Sequence, residues 1–211
     1  MANDGCGHFI TLEGIDGSGK TTQAQRLGRH LEARGRDVHV TREPGGSTGA
    51  EDIRKLLVEG DPNRWSPETE ILLFMAARRD HLEKVIKPRT EAGSCVISDR
   101  FADSTRVYQG AARAELRSFV DQLHDLAIGV EPDLTLVIDM DPDVALARGL
   151  ARKSGEDRFE EFGADFQHSL HVGFRDLVSQ FPDRCVLIDG NRDQASVARD
   201  IAAVVDRYLD G

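Results

Sequence analysis

Five short apolar runs punctuate the chain, at residues 9–12, 38–41, 95–98, 134–138 and 185–188, and the longer segments between them space their apolar residues as helices do. A run of four or five apolar residues without polar alternation reads as a strand buried on both faces. Strands of that kind alternating with helical stretches predict a parallel sheet covered by helices on both sides. No internal repeat or low-complexity linker marks a second domain, so residues 1–211 read as one α/β unit. In such a sheet ligands gather at the carboxyl ends of the strands. Three chemically suggestive stretches begin there: residues 14–21 after the first run, 42–46 after the second and 99–101 after the third.

The first stretch, Gly14-Ile15-Asp16-Gly17-Ser18-Gly19-Lys20-Thr21, fits G-x-x-x-x-G-K-[ST], the phosphate loop of nucleoside-triphosphate-using proteins. Its setting agrees. A strand-like run precedes it, and residues 22–32 follow as a helix with Ala24, Leu27 and Leu31 on one face. Glycines let backbone N–H groups wrap a polyphosphate, and the helix N-terminus adds partial positive charge. The loop from Gly14 to Thr22 is therefore the candidate ATP site, with Lys20 reaching the β- and γ-phosphates and the Thr21 hydroxyl ligating Mg²⁺. The alternative, a glycine-rich strand-to-helix turn without a ligand, explains the glycines but not the Lys-Thr pair.

The chain is ordinary in composition, 39% hydrophobic and 30% charged, with a formal net charge of −10. That charge argues against a nucleic-acid partner, which requires a basic face, but leaves an anionic small substrate possible if local arginines line its cleft. Three cysteines (Cys6, Cys95, Cys185) are scattered with no C-x-x-C pair, and the latter two sit in apolar runs, as buried thiols of a reducing compartment do. No apolar run approaches membrane-spanning length and no leader pattern opens the chain. The expectation is a cytoplasmic protein with no membrane partner.

In the second stretch, Arg42-Glu43-Pro44-Gly45-Gly46, the proline restricts Glu43 to extended conformations and the glycines permit a tight turn. A plain strand-ending turn would use the same residues, but the flanking arginine suits a phosphate. In the third, Asp99 stands where a carboxylate can hold Mg²⁺ directly or through water, and Arg100 where it can meet a second phosphate; an ordinary ion pair is the alternative. Within a long helix expected over 69–87, Phe74 and Arg78 share a face at i and i+4, a spacing that suits stacking on a base and bonding to its edge. From the residues alone the plainer reading prevails: Leu72, Leu73, Phe74 and Met75 as core, Arg78 and Arg79 in solvent. Residues 148–158 are polar, basic and contain Gly149 and Gly155, either a solvated loop or a closing lid that brings arginines to a transferring phosphoryl group.

The phosphate loop, the Arg-Glu-Pro-Gly-Gly turn and Asp99-Arg100-Phe101-x-x-Ser104-Thr105-x-Val107-Tyr108-Gln109 occur in one order, and together they resemble the thymidylate kinase family. The similarity continues through Gly49-Ala50-Glu51-Asp52-Ile53-Arg54-Lys55, Leu73-Phe74-x-x-x-Arg78, Val85-Ile86-Lys87-Pro88 and Glu131-Pro132-Asp133-Leu134-Thr135, so it spans nearly the whole chain. It implies a P-loop NTPase fold, three-layer α/β/α with a five-stranded parallel sheet and a short lid at about 148–159, and the reaction ATP + dTMP → ADP + dTDP with Mg²⁺. By matching position it implies that Phe74 stacks on thymine, Arg78 bonds its edge, and Thr105 and Gln109 complete the base pocket. Tyr108 would pack on the deoxyribose, crowding the place of a 2′-hydroxyl. Asp16 would face the 3′-hydroxyl and acceptor phosphate with Glu43 nearby, Arg54 and Arg100 would hold the monophosphate, Ser104 would also belong to the dTMP site, and Asp99 would support Mg²⁺.

Some members of that family carry an arginine directly after the acidic residue of the loop. This chain has Gly17 there, which resembles the bacterial subclass whose lid supplies the charge, so Arg152, Lys153 and Arg158 become the lid candidates, with Arg152 and Arg158 the catalytic expectation. A departure follows Gly110: Ala111-Ala112-Arg113-Ala114 replaces the glycine-rich segment usual in the family. A homodimer is implied by the resemblance alone; the apolar faces at 53–58 and 71–75 suit an interface or plain core equally. The competing functions are a kinase for another acceptor, such as dUMP or thymidine, and a nucleotide-binding switch without transfer activity.

Overall fold

All five apolar runs form strands, each extending to a polar residue at its carboxyl end: β1 (Phe9–Glu13), β2 (Val38–Arg42), β3 (Cys95–Asp99), β4 (Leu134–Asp139) and β5 (Cys185–Asp189). The computed structural model describes residues 7–61, 64–112, 114–151 and 163–211. The strands make one wholly parallel sheet in the order β2-β3-β1-β4-β5. The final polar residues stand at the carboxyl edge of the sheet, the edge where sheets of this kind gather ligands. The register brings these ends level, with Leu12 beside Asp99 and Asp99 beside Arg42. The three stretches singled out in the sequence thus begin side by side.

The expectation of strands buried on both faces holds for β1, β3 and most of β4, and fails at the two edges. Residues of β2 are half-buried, and β5 mixes buried with partly exposed positions, Leu187 being 37% exposed. Strand order explains it, since an edge strand has a neighbour on one side only.

One layer of helices pairs α1 (Lys20–Ala33) with α9 (Gln194–Asp210), packing Leu27, Leu31, Ile201 and Val205 on Ile10, Leu12, Ile97 and Leu136. The other layer carries α3 (Pro67–His81), α5 (Ala102–Ala112), α6 (Ala114–Ala127) and α8 (Gly163–Gln180). There Ile71, Met75 and Val120 meet Phe9, Val96 and Phe101, while Leu170, Phe174 and Leu177 meet Val107, Tyr108 and Val137. Alternation along β1 sorts its side chains: Ile10 and Leu12 face the first layer, Phe9 the second. Asp103 of α5 accepts from Arg106 at 2.9 Å and Arg184 at 2.6 Å, which pins the helix to the sheet. Cys95 and Cys185 are buried free thiols, and burial pushes the Cys185 thiol up to about 12.

The helix expected over 69–87 starts two residues earlier because Ser66 caps it, accepting from the Thr69 N–H at 3.2 Å with Pro67 in the first turn. It then passes through a π-type turn (Leu82–Ile86) into α4 (Lys87–Glu91). Pro88 has no N–H to return to the carbonyl one turn back, and the wider turn accommodates that gap. The remaining helices are α2 (Thr48–Val58), capped by Ser47, and α7 (Pro142–Ala151). Arg148 is therefore helical, and residues 148–151 of the stretch expected as a loop or lid belong to α7; residues 152–162 lie outside the described residues.

Leu136 is fully buried in the central layer. Leu136→Ala is expected to cost about 2–5 kcal/mol of folding stability, read from denaturant titration; a loss within experimental scatter would mean that this layer is not the core.

Candidate active site

A cavity of about 370 Å³ opens where the ends of β1, β2 and β3 converge. Its wall includes Asp16, Lys20 and Thr21 from the phosphate loop, Glu43, Pro44 and Arg54 after β2, Phe74 and Arg78 from α3, Asp99 and Arg100 after β3, and Ser104, Thr105, Tyr108 and Gln109 from α5. Gly14, Ile15, Ser18 and Thr22 do not line it. Ile15 is core, the Ser18 hydroxyl is buried without a hydrogen-bond partner, and Thr22 points outward from α1. Arg152, Lys153 and Arg158 lie outside the described residues.

The loop end is built around Lys20, whose Nζ donates to the carbonyls of Gly14 at 3.0 Å and Ile15 at 2.7 Å. Burial, then the Arg100 charge, pulls its amine down to about 8. A phosphate bound there would push it back up. Thr21 Oγ1 donates to Asp99 Oδ2 at 2.5 Å, so the two candidate Mg²⁺ ligands, both hard oxygen donors, stand together. Gly17 has φ +84°, and a Cβ built on it would lie 1.9 Å from the Ala145 carbonyl oxygen of α7. The position holds glycine for lack of space as well as for conformation.

Arg100 is the hub of the middle of the cavity. It is the only non-glycine among the described residues with positive φ, +74°. Its guanidinium donates to Asp16 Oδ1 at 2.5 Å, Ser104 Oγ at 2.7 Å and Tyr108 Oη at 3.0 Å, and the Tyr108 hydroxyl donates on to Asp16 Oδ2 at 2.7 Å. Burial opposes ionisation of Asp16, but the Arg100 and Lys20 charges and these bonds overcome it and hold the carboxyl down to about 2. Burial is also the main influence pushing the Tyr108 phenol well above its ordinary range.

The turn carrying Arg100 is tied to β1 by Glu13. This fully buried carboxylate accepts from the Phe101 N–H at 2.7 Å and the Ser104 hydroxyl at 2.5 Å. Burial, with the Asp103 charge, raises its pKa to about 7 against the pull of Arg100 and both hydrogen bonds. Nothing in the sequence singled out Glu13, a lone acid at the end of an apolar run.

At the far end, Arg78 is 2% exposed rather than solvated. Its Nε donates to Glu43 Oε2 at 2.8 Å, and its Nη2 to the Phe101 carbonyl at 3.0 Å and Thr105 Oγ1 at 2.9 Å. Its guanidinium carbon stands 5.2 Å from the centre of the Phe101 ring. Glu43, whose Pro44 peptide bond is cis, takes His81 Nδ1 on its other oxygen at 3.0 Å, and His81 Nε2 meets Thr41 Oγ1 at 2.8 Å. His81 was not legible in the sequence; its only signal is that it lies three residues beyond Arg78 on the same helix. Phe74 is half-buried on the cavity wall, and Leu72 beside it is 50% exposed, so the stretch expected as core divides. Arg54 reaches back to the Pro44 carbonyl at 2.5 Å, which places it beside the turn after β2 and on the cavity wall.

A phosphate loop at the edge of a parallel sheet, facing a pocket with an aromatic ring and a fixed arginine, defines a P-loop phosphotransferase with an acceptor site. The thymidylate kinase family model matches residues 12–201, and the chain belongs to that family. It is 69% identical over 197 residues to the thymidylate kinase of Dinoroseobacter shibae (93% of this chain, 95% of the relative) and 49% identical over 204 residues to that of Caulobacter vibrioides (96% and 98%). Its structure matches a solved thymidylate kinase from Ehrlichia chaffeensis with a TM-score of 0.78 at 35% identity, covering 95% of this chain and 99% of that one.

Glu13 links this geometry to stability. Its folded pKa, about 7, lies above its ordinary 4.5, so between these values the folded protein binds more protons than the unfolded one. Its contribution is complete below 4.5 and lost as pH rises through 7. The Tm of Glu13→Gln minus that of the parent is therefore expected to rise from about pH 5 to about pH 8. Parallel Tm profiles would remove the perturbed carboxyl.

Proposed function

We infer that this chain transfers the γ-phosphoryl group of ATP to dTMP, giving ADP and dTDP. The observation that carries this reading is a single cavity with Lys20 and Thr21 at one end, Phe74, Arg78, Thr105 and Gln109 at the other, and Arg54 and Arg100 between them. Family membership supports the same reaction.

Phosphoryl transfer leaves a protein little covalent chemistry to perform; it must align donor and acceptor and offset charge. The acceptor is a phosphate monoester whose second pKa is about 6, so it needs no strong base. Phe74 stacks on the thymine and Arg78, held rigid by Glu43 and Thr105, bonds its edge. Tyr108 packs on the deoxyribose, Asp16 faces the 3′-hydroxyl, and Ser104 and Glu43 hold the arginines that meet the substrate. Arg54 and Arg100 offset the repulsion between two anionic substrates, and Lys20 neutralises the donor phosphates. Thr21 and Asp99 fit Mg²⁺, which when bound would screen charge on the ATP phosphates. Arg152, Lys153 and Arg158 are the lid candidates by resemblance to the bacterial subclass. We also propose one catalytic domain acting as a homodimer in the cytoplasm. Leu56 and Leu72, exposed on α2 and α3, are available for an interface. Among the described residues no helix is long and apolar enough to cross a membrane.

The direct test is coupled ADP release from Mg·ATP with dTMP, dUMP, dCMP, dGMP or thymidine as acceptor. Strong release with dTMP and a weaker signal with dUMP is expected. A preference for another acceptor would keep the phosphate machinery and overturn Phe74, Arg78 and Gln109 as thymine readers; ATP binding without release would indicate a switch.

Lys20→Ala and Arg100→Ala are each expected to lower turnover by about 10³-fold or more with the circular dichroism spectrum retained. Near-normal turnover in Arg100→Ala would overturn its role at the acceptor phosphate.

A further inference from the structure

Glu70, Phe74 and Arg78 stand at i, i+4 and i+8 of α3 and therefore share one face. Opposite them, Thr105 and Gln109 stand at i and i+4 of α5. Two polar rungs join the helices: Arg78 Nη2 to Thr105 Oγ1 at 2.9 Å, and Gln109 Nε2 to Glu70 Oε1 at 3.0 Å. Phe74 lies between the rungs. Both members of the second rung are buried, Glu70 at 7% and Gln109 at 4% exposure, but only Gln109 belongs to the cavity wall.

We propose that Glu70 sets which atom Gln109 presents to the base, and so makes the pocket select a 4-keto pyrimidine over a 4-amino one. An amide side chain can face either way, and its neighbours decide. An ionised carboxylate only accepts hydrogen bonds, so Glu70 requires the Gln109 nitrogen on its own side and leaves the amide oxygen for the cavity. Arg78 offers only donors. The wall therefore presents a donor from α3 and an acceptor from α5. A 4-keto pyrimidine carries the complement, an accepting O4 beside a donating N3–H. A 4-amino pyrimidine carries the reverse, and would leave a buried donor and a buried acceptor unmatched, the kind of mismatch that discriminates most strongly. Glu70 touches no substrate; it is a positioning residue, and the proposal rests on the base-pocket reading above.

The test is kcat/KM for dTMP and for dCMP in the parent, in Glu70→Gln, and in the exchanged pair Glu70→Gln with Gln109→Glu. An amide at position 70 can donate or accept, so Gln109 becomes free to turn over in the single variant. We expect kcat/KM for dCMP to rise about tenfold or more while that for dTMP falls by about threefold or less. In the exchanged pair, the carboxylate now at position 109 accepts from the amide now at position 70 and again shows an acceptor to the cavity. The preference for dTMP should therefore return even if Glu70→Gln alone folds poorly. A parallel fall for both substrates, or an exchanged pair that stays unselective, would overturn the proposal and leave Glu70 a purely structural role. A parent enzyme that does not prefer dTMP to dCMP would overturn the base-pocket reading itself.

Discussion

The site depends on one buried carboxylate at the end of the central strand. Glu13 is the last residue of β1, directly before the phosphate loop, and its two oxygens hold the Phe101 N–H and the Ser104 hydroxyl of the neighbouring turn. Ser104 in turn accepts from Arg100. The loop proposed to meet one substrate and the arginine proposed to meet the other are thereby referred to the same strand end. Burying a carboxylate is costly unless it is well bonded, and its raised pKa shows that the cost is only partly offset. Accepting such a group in the middle of the sheet is reasonable where position matters more than stability.

The same logic extends outward from that strand end. Arg100 and Asp16 neutralise each other through a bond of 2.5 Å and share Tyr108. Arg78 and Glu43 do the same at the far end of the cavity, with His81 behind Glu43 and Thr41 behind His81. A net charge of −10 therefore coexists with a cavity lined by Lys20, Arg42, Arg54, Arg78 and Arg100 against Asp16, Glu43 and Asp99. The cleft is locally cationic, which suits the two anionic substrates proposed for it, because its acids are consumed in orienting its bases.

Much of this was readable from sequence, and the boundary has a physical cause. The strands and the loop follow from local signals: apolar runs of strand length, and a glycine pattern that only a few backbone conformations satisfy. The position of each strand within the sheet does not, which is why β2 and β5 were expected to be more buried than they are. The proposed base pocket shows the limit most clearly. Spacing alone left Phe74 as core and Arg78 in solvent, and only the family resemblance reversed that. The partners that bury Arg78, namely Glu43, Phe101 and Thr105, lie 23 to 35 residues away in the chain, so no local pattern announces them. Glu13, Glu70 and His81 carry no local signal for the same reason, since a single polar residue in an apolar strand or on a helix face acquires meaning only from what folding places against it.

Gly17 shows how packing can decide chemistry. By the family resemblance, some members carry an arginine at this position. In this chain even a methyl group would lie 1.9 Å from the Ala145 carbonyl of α7, and the backbone there is left-handed at φ +84°. Neither constraint can be relieved by a flexible side chain moving aside, because the obstruction is backbone. Admitting an arginine would require α7 to shift, and α7 is fixed by Ala145 within the cluster that holds Tyr108 and Val137. The absence of charge from position 17 is thus imposed by the helix behind it. Under the proposed function, positive charge at the donor phosphates has to come from Lys20 or from another part of the chain, and a substitution at position 17 alone cannot convert one arrangement into the other.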